Sequence, residues 1–411
     1  MDLTLRHNAD AIIHASIRAV QPDEAVKRAL SDRTFPGRVF LVAAGKAAWQ
    51  MGKTATQVLG ERIEAGVVVT KYDHVKSPLA NIQCFEAGHP VPDENSFTAT
   101  QKALELVSDL CEDDTVLFLL SGGGSALFEK PLIPGDELQN ITGQLLACGA
   151  DIVEMNTIRK RLSAVKGGRF AQACKPAQVF SIVLSDILGD PLDMIASGPA
   201  CEDTSTCEQA MQIAKKYNLQ LTADAWLLLQ QETPKVLDNV TTLVTGSVRQ
   251  LTYAAAAACR ELGYEPLILT DMLSCQAKEA GSFLASILKS HAADGKKLAF
   301  IAGGETVVQL TGHGKGGRNQ ELALAAAPGI RNLKGAAIFS VGSDGTDGPT
   351  DAAGGYVDYQ TADVLAGKSI DIFDTLRNND AYNALLCCDG LIVTGPTGTN
   401  VNDVAVALLN L

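Results

Sequence analysis

The stretch Val116-Leu117-Phe118-Leu119-Leu120-Ser121-Gly122-Gly123-Gly124-Ser125-Ala126-Leu127 joins a run of apolar residues to three consecutive glycines. The apolar run predicts a buried β-strand, and the glycines predict a loop that a ligand can approach closely, because glycine has no Cβ. Ligands of open α/β sheets bind beside the carboxyl ends of strands, where backbone N–H groups hold anions. The alternative is a tight turn that needs glycine only for its geometry. We predict that phosphate or another anion binds the loop residues Ser121, Gly122, Gly123, Gly124 and Ser125.

Composition restricts the class of protein. The chain of 411 residues is longer than a single hydrophobic core usually accommodates, so we predict two domains. Hydrophobic residues make up 46% of the chain and aromatic residues only 5%, a composition that suits aliphatic strands covered by helices. The net charge of −13 argues against nucleic acid and anionic membranes as partners. We find no apolar leader or membrane-length run, and the 10 cysteines form no C-x-x-C pair, so we expect a cytoplasmic protein with reduced thiols.

Strand-like and helix-like runs alternate along the chain, which favours mainly parallel sheets with right-handed crossovers. A polar segment with a proline, 231–234, interrupts the pattern and predicts a linker. We therefore predict two α/β domains, a Rossmann-like one at 1–235 and a second at 236–411. A long helix is expected over 153–174. The predicted strands are Val39–Ala43, Val67–Thr70, Val116–Leu120, Val179–Leu184, Val240–Val244, Leu267–Thr270, Leu298–Ala302, Val307–Leu310, Ile338–Val341 and Leu391–Val393.

Two cations lie beside glycines at predicted strand-to-helix junctions. Lys46 follows the first strand, and Arg318 follows the glycine-rich segment 312–317 and precedes a helix. An arginine fork at such a place suits phosphoryl or carboxylate oxygens. The segment 312–317 also has the formal G-x-G-x-x-G spacing of a dinucleotide loop, so a nicotinamide cofactor remains the alternative.

Acidic residues follow two other predicted strands, in the loops 185–191 and 342–351. Carboxylates at strand ends suit Mg²⁺ held jointly with substrate phosphates, and one of them could instead accept a hydroxyl proton. The candidates are Asp186, Asp344 and Asp347; the alternative for each is a turn or helix-capping role.

The densest basic region, 156–169, contains Lys166 and is expected either to form a positive wall for a carboxylate or triphosphate or to be a solvated helix face. His89 stands beside prolines without a visible partner, so we expect it to be structural.

These motifs, taken together and in order, resemble those of the class II glycerate kinases, which are glycerate 2-kinases with a C-terminal MOFRL region. Some members of that family are labelled hydroxypyruvate reductases. The resemblance covers nearly the whole chain. The motifs that carry it are Ala44–Ala48, Glu86–Asp93, Ser121–Leu127, Arg159–Gly168, Ser185–Pro191, Ser197–Pro199, Gly303–Thr306, Gly316–Glu321, Ser343–Asp351 and Gly395–Asp403.

The resemblance implies ATP- and Mg²⁺-dependent phosphorylation of the 2-hydroxyl of D-glycerate, with the MOFRL region at about 298–405 and the active site in the cleft between the domains. It implies catalytic roles for Lys46 and Arg318, and we add Asp186 to orient the hydroxyl or bind metal. Cofactor contacts are also expected from Lys166, Gly316 and Gly317. The expected partners are small molecules, with no nucleic acid or membrane, and a homo-oligomer is compatible. An NAD(P)-dependent hydroxypyruvate reductase and a non-catalytic sugar-acid sensor stay open as alternatives.

Overall fold

The computed structural model describes residues 1–410, which fold into two compact units. One unit is Ala25–Thr245, and the other combines Met1–Glu24 with Gly246–Leu411. No helix within residues 1–410 has both the length and the apolar character that a membrane crossing would require.

Within residues 1–410, twelve β-strands form two six-stranded sheets, one in each unit. The strands are β1 (Val39–Ala44), β2 (Ile63–Lys71), β3 (Ile82–Ala87), β4 (Thr115–Leu120), β5 (Gln178–Leu184), β6 (Val240–Gly246), β7 (Glu265–Leu273), β8 (Lys297–Gly304), β9 (Ala336–Gly342), β10 (Gly354–Asp358), β11 (Leu391–Ile392) and β12 (Asp403–Asn410).

The helices cover and connect these strands. They are α1 (Leu3–Ala19), α2 (Pro22–Leu30), α3 (Ala48–Leu59), α4 (Glu94–Leu106), α5 (Gly124–Leu127), α6 (Gly135–Ala147), α7 (Ile152–Arg161), α8 (Arg169–Ala173), α9 (Cys207–Lys216), α10 (Ala223–Leu229), α11 (Val248–Glu261), α12 (Ala277–Ser290), α13 (Arg318–Ile330), α14 (Thr361–Gly367), α15 (Ile372–Arg377) and α16 (Ala381–Cys387).

The sheet of the 25–245 unit has the strand order β3-β2-β1-β4-β5-β6, which is the order of a Rossmann fold. The pairs β1·β2, β1·β4, β2·β3 and β4·β5 are all parallel. Every residue of β1 and β4 is buried, as expected of strands covered by helices on both faces. The strand order reverses between β1 and β4, so the ligand-binding switch point of this fold lies where these two strands end.

The second sheet, of order β11-β10-β9-β12-β8-β7, is mixed rather than mainly parallel as expected. Only β7·β8 is parallel, and the C-terminal strand β12 lies antiparallel between β8 and β9. The alternation of strands and helices predicted crossovers, but β10 and β12 were not foreseen, and these two strands make the antiparallel pairs. The prediction of two α/β domains is confirmed.

The boundary between the units differs from the expected 235/236. Leu5 and Ile12 of α1 are buried in the same apolar core as Leu251 and Ala255 of α11, so the N-terminal helix belongs to the second unit. Strand β6 extends the first sheet as far as Gly246. The chain therefore crosses between units twice, at 24/25 and at 245/246.

Two predicted elements are also different in the structure. The helix expected over 153–174 ends at Arg161, and Ser163 then forms a β-bridge with Pro131. Gly167 (φ +57°) and Gly168 (φ +81°) take left-handed conformations, so the next helix begins only at Arg169. The strand expected at Val307–Leu310 does not form, and Val307 and Leu310 are 54% and 82% exposed. Val307 makes only an isolated parallel bridge with Gln276, and the pairing does not continue, so the segment remains a loop.

Candidate active site

The loops that follow β1 and β4 are joined by hydrogen bonds at the Rossmann switch point. Ser121 N donates to Ala44 O (3.0 Å), Lys46 N donates to Gly122 O (2.9 Å), and Ala47 N donates to Ser121 Oγ (3.0 Å). Gly45 has φ +125°, and a Cβ there would lie 2.3 Å from Ser121 Oγ. The glycine is therefore required for the close approach of the two loops.

Each glycine of the 122–124 loop faces a group from a different segment. A Cβ on Gly122 would lie 2.4 Å from Asp186 Oδ2, and a Cβ on Gly124 would lie 2.8 Å from Ala196 Cβ. Gly123, with φ +85°, borders both the ring of His89 and the side chain of Lys46. The absence of side chains on the loop thus lets several chain segments converge on it, as the sequence predicted for a ligand site.

The structure brings together the predicted residues of this unit. Lys46 is exposed, Asp186 is half-buried, and both side chains adjoin the glycine loop. An exposed cation, a carboxylate and a loop of glycines at the end of parallel strands form an arrangement suited to a phosphate-bearing ligand. His89, expected to be structural, also lies against this loop.

Lys166 is not at the open side of the loop, contrary to the expected cofactor contact. It is fully buried, and its ammonium donates to Ser125 O (2.9 Å) and Phe128 O (3.1 Å) and pairs with Glu129 (3.2 Å). Burial lowers the pKa of Lys166 to about 8. These contacts hold the backbone at Ser125 and Phe128, so Lys166 supports the segment that follows the glycine loop.

The remaining basic residues of 156–169 are engaged within the protein, so the region is neither a positive wall nor a solvated face. Lys160 pairs with Asp203 (3.1 Å) while only 3% exposed. Arg161 is completely buried and donates to Ser205 Oγ (2.9 Å) and to Glu232 (3.2 Å). These ion pairs anchor α7 to the 203–232 segment.

In the second unit, Arg318 begins α13 and is held by two carboxylates. Its Nε and Nη2 donate to the two oxygens of Asp403 (2.6 and 3.2 Å), and its Nη1 donates to Glu305 Oε1 (2.7 Å). Burial raises the pKa of the Asp403 carboxyl, whereas Arg318 lowers it. In the sequence, Glu305 and Asp403 stand out only as members of motifs. Glu305 follows β8 and Asp403 begins β12, and the sequence did not show that these two strands are neighbours.

Asp347, which we expect to bind metal, caps a helix in the structure. Its oxygens accept from Asn319 N (3.1 Å) and Gln320 N (2.8 Å) at the start of α13, and it is only 3% exposed. Burial raises its pKa to about 6. A Cβ on Gly317 would lie 2.3 Å from Asp347 Cγ, so this glycine makes room for the cap.

The other expected ligand residues of this unit are also engaged locally. Asp344 is half-buried and accepts from Thr346 N (3.0 Å), as an aspartate in a turn does. A Cβ on Gly316 would lie 3.4 Å from Ala381, so this glycine packs against α16. Within residues 1–410, no three His, Cys, Asp or Glu side chains are grouped as a metal site.

The segment 312–317 does not present a dinucleotide loop. Its N–H groups are taken by a neighbouring turn: Gly312 N donates to Asn379 Oδ1 (2.9 Å), Gly314 N to Asn378 O (2.8 Å) and Lys315 N to Asp380 Oδ1 (2.9 Å). The glycines allow this close packing, since a Cβ on Gly312 would lie 2.4 Å from Asn378. These three N–H groups are therefore not available to the pyrophosphate of a nicotinamide cofactor.

Comparisons with known proteins agree with the motifs. Residues 8–230 match the family described as Domain of unknown function (DUF4147), and residues 298–403 match the MOFRL family. The chain is 51% identical over 412 residues to D-glycerate 2-kinase of Thermotoga maritima, covering 99% of both chains. It is 37% identical over 424 residues to a putative hydroxypyruvate reductase of Agrobacterium vitis, covering 99% of this chain and 95% of that one.

Among solved structures, the crystal structure of glycerate kinase from Thermotoga maritima matches with a TM-score of 0.95 and 50% sequence identity, covering 100% of both chains. The MOFRL match lies within the expected region of about 298–405. The chain therefore belongs to the family of glycerate kinases that combine the DUF4147 and MOFRL domains.

Proposed function

We propose that the protein is an ATP-dependent glycerate 2-kinase, a phosphotransferase that converts D-glycerate into 2-phosphoglycerate. The observation that carries this proposal is the 51% identity to a D-glycerate 2-kinase along 99% of both chains. The glycine loop beside the exposed Lys46 supports it, because backbone donors and a cation at a Rossmann switch point suit a phosphate.

The reaction forms a bond between O2 of glycerate and the γ-phosphorus of ATP, while the bond from that phosphorus to the bridging oxygen of ADP breaks. The hydroxyl proton leaves O2 in the same process. Phosphoryl transfer depends mainly on positioning and on cations where charge accumulates. We assign phosphate binding to the N–H groups of the 122–124 loop, and charge stabilisation to Lys46.

We further propose that Arg318 acts on the same transferring phosphoryl group as Lys46. The bidentate contact with Asp403 fixes the plane of the guanidinium, and a fixed plane suits bidentate binding of phosphoryl oxygens. Asp403 and Glu305 would then be positioning residues for this arginine.

Mg²⁺ is the metal ion that we expect with ATP. It prefers oxygen ligands and is commonly held by one or two carboxylates together with substrate phosphates, so a preformed cluster of three protein ligands is not required. Asp186 fits this description best, because its carboxylate adjoins the loop at Gly122. Asp344 is the second candidate. Bound Mg²⁺ would neutralise charge on the phosphate oxygens.

We also propose a cytoplasmic location and a restriction to small-molecule partners. All 10 cysteines are free thiols, which is usual in a reducing compartment. A net charge of −13 disfavours binding to nucleic acid and to anionic membranes.

The proposed function is tested by incubating the purified protein with ATP and Mg²⁺ and measuring ADP release with D-glycerate, with L-glycerate and without acceptor. We expect release only with D-glycerate, and ³¹P NMR of the product should identify the 2-phosphate ester. A parallel reaction with hydroxypyruvate and NAD(P)H tests the reductase alternative. Oxidation of NAD(P)H without glycerate-dependent ADP release would overturn the kinase proposal.

A further inference from the structure

We propose that His89 is the general base that accepts the proton of the 2-hydroxyl during phosphoryl transfer. This inference rests on the proposed kinase function and adds a residue that the motifs alone did not assign. A kinase must pass the hydroxyl proton of its acceptor to some group within hydrogen-bond reach. Two proton acceptors adjoin the glycine loop, the Asp186 carboxylate and the His89 imidazole.

The imidazole edge of His89 faces the centre of the glycine loop. A Cβ built on Gly123 would lie 3.0 Å from Cδ2 and 3.1 Å from Nε2 of His89, and 3.2 Å from Cγ of Lys46. His89 and Lys46 therefore border the same glycine, at the end of the strands where the transferring phosphate is proposed to bind. This position allows Nε2 to approach an acceptor oxygen bound beside the loop.

The ring nitrogens of His89 make no hydrogen bond to another residue within 1–410, although the side chain is half-buried. His74 and His291 differ in this respect: their Nδ1 atoms contact Tyr72 O (3.1 Å) and Asp294 Oδ2 (2.7 Å). Partly buried polar groups generally have partners. An imidazole that lacks a protein partner beside an anion loop is therefore available to a ligand.

The segment that carries His89 is fixed in place. Asp93 accepts from Tyr72 Oη (2.7 Å) and caps α4 through Ser96 N (3.0 Å). A Cβ on Gly88 would lie 2.9 Å from Asp93 Oδ2, so the turn around His89 packs closely on this cap. A base held on such a turn keeps its distance to the acceptor.

The charges around the ring favour its neutral form. Burial lowers the pKa of His89, and the cations of Lys46 and Lys71 lower it further. The carboxylates on the neighbouring turns are Asp93, which adjoins Gly88, and Asp186, which adjoins Gly122. A neutral imidazole has one nitrogen that accepts a proton.

This assignment divides the chemistry between the two acceptors. The Asp186 carboxylate supplies oxygen to Mg²⁺, a hard cation that prefers it, whereas the His89 imidazole takes the proton. The electron pair of the O2–H bond forms the new O2–P bond, the proton moves to His89 Nε2, and the γ-phosphorus separates from the ADP oxygen. The imidazolium releases its proton to water after the product leaves.

The test compares His89→Gln, which keeps a polar side chain of similar reach but accepts no proton at neutral pH, with the control His74→Gln. We expect His89→Gln to lose 10²–10⁴-fold in kcat, the usual contribution of a general base, with the KM for ATP changed less than about 3-fold. His74→Gln should retain the wild-type kcat. In His89→Ala, added imidazole should restore part of the lost rate in proportion to its concentration.

Wild-type formation of 2-phosphoglycerate is measured first, so failure of the kinase proposal is seen separately. Given that activity, a His89→Gln variant with kcat within about 5-fold of wild type would overturn the role of His89. A large loss without any rescue of His89→Ala by imidazole would show a structural role and would also overturn it. If both variants misfold by circular dichroism, the wild-type pH profile decides. We expect kcat to fall tenfold per pH unit once the pH is below a pKa that itself lies under 6.5. A kcat that stays constant down to the pH at which the protein unfolds contradicts the proposal.

Discussion

Gly123 shows how a single residue can join packing to ligand binding. Its φ of +85° lies in the left-handed region, and the volume that a side chain would need borders His89 and Lys46. A valine there would strain the backbone and displace the groups proposed to act on phosphate.

We expect Gly123→Val to weaken ATP binding, measured by isothermal titration calorimetry, with the fold kept by circular dichroism. Gly143→Ala is the matched control, because Gly143 has ordinary helical backbone and nothing within 4 Å of a built Cβ. Unchanged nucleotide affinity in folded Gly123→Val would mean that the loop is only a turn or binds the glycerate carboxylate.

Arg318 depends on its two carboxylate partners for orientation. Arg318→Lys keeps the positive charge but loses the planar guanidinium group that can bind two oxygens at once. We therefore expect kcat to fall below the wild-type value, because the charge alone does not replace this bidentate contact. Asp403→Asn keeps the volume but removes a charged bidentate partner, and we expect about a 10-fold loss of kcat with little change in KM.

The control for both variants is Arg331→Lys, because Arg331 pairs with Asp363 where both side chains are about half exposed. Exposed pairs of this kind contribute little. Steady-state kinetics measure all three variants. Near-normal kcat in Arg318→Lys would contradict the proposed role of the guanidinium fork.

At the scale of elements, the N-terminus of α13 is closed by a carboxylate from another loop. Asp347 satisfies the N–H groups of Asn319 and Gln320, which an N-terminal helix turn otherwise leaves without partners. This cap requires a carboxyl group to be buried, and burial raises the pKa of Asp347 from 3.8 to about 6.

A raised pKa in the folded state means that Asp347 contributes stability below about pH 4 and that this contribution is lost as the pH rises through 6. We expect the unfolding free energy of wild type, relative to Asp347→Asn, to fall by about 2 kcal/mol between pH 4 and pH 7. Urea unfolding followed by circular dichroism measures the difference. A difference that does not vary with pH would contradict the assignment.

The elements that were predictable from sequence are those whose signals are local. Strands β1, β4 and β5 are continuous buried apolar runs, and the structure has them within one residue of the expected bounds. Strand β12 was missed, although it is central, because its partners β8 and β9 precede it by 60 residues or more. For the same reason the partners of Arg318 were not assigned: Asp403 is 85 residues away in sequence.

The residues of the candidate site also differ in whether local sequence signals were enough to predict their surroundings. Lys46, Asp186 and the 122–124 loop follow neighbouring parallel strands, and the rule that ligands bind at strand ends was enough to group them. The surroundings of Lys166 and Asp347 could not be predicted, because sequence does not reveal burial. Each is 3% exposed or less and is used to hold backbone, Lys166 beneath α5 and Asp347 at α13.

At the scale of the whole molecule, the N-terminal helix belongs with the C-terminal part of the chain. Ile12 of α1 is completely buried, whereas Leu3 on the same helix is 68% exposed. We expect Ile12→Ala to cost about 2–5 kcal/mol of stability, as for other buried large-to-small substitutions, and Leu3→Ala to cost little.

The two tryptophans, Trp49 and Trp226, both lie in the 25–245 unit, so tryptophan fluorescence reports on that unit, whereas circular dichroism reports on both. In urea, Ile12→Ala should shift the transition seen by circular dichroism more than the transition seen by tryptophan fluorescence. Equal shifts in both signals would contradict an energetic assignment of α1 to the second unit.

The central proposal is that Lys46 and Arg318 both act on the transferring phosphoryl group. The most direct measurement is kcat for Lys46→Ala, Arg318→Ala and the double variant, with folding checked by circular dichroism. By analogy with arginines in other phosphoryl transferases, each single loss should be on the order of 10³-fold. Residues that act on the same group are not additive, so the double variant should lose less than the product of the single losses. Strictly multiplicative losses, or near-normal kcat in either single variant, would contradict the claim.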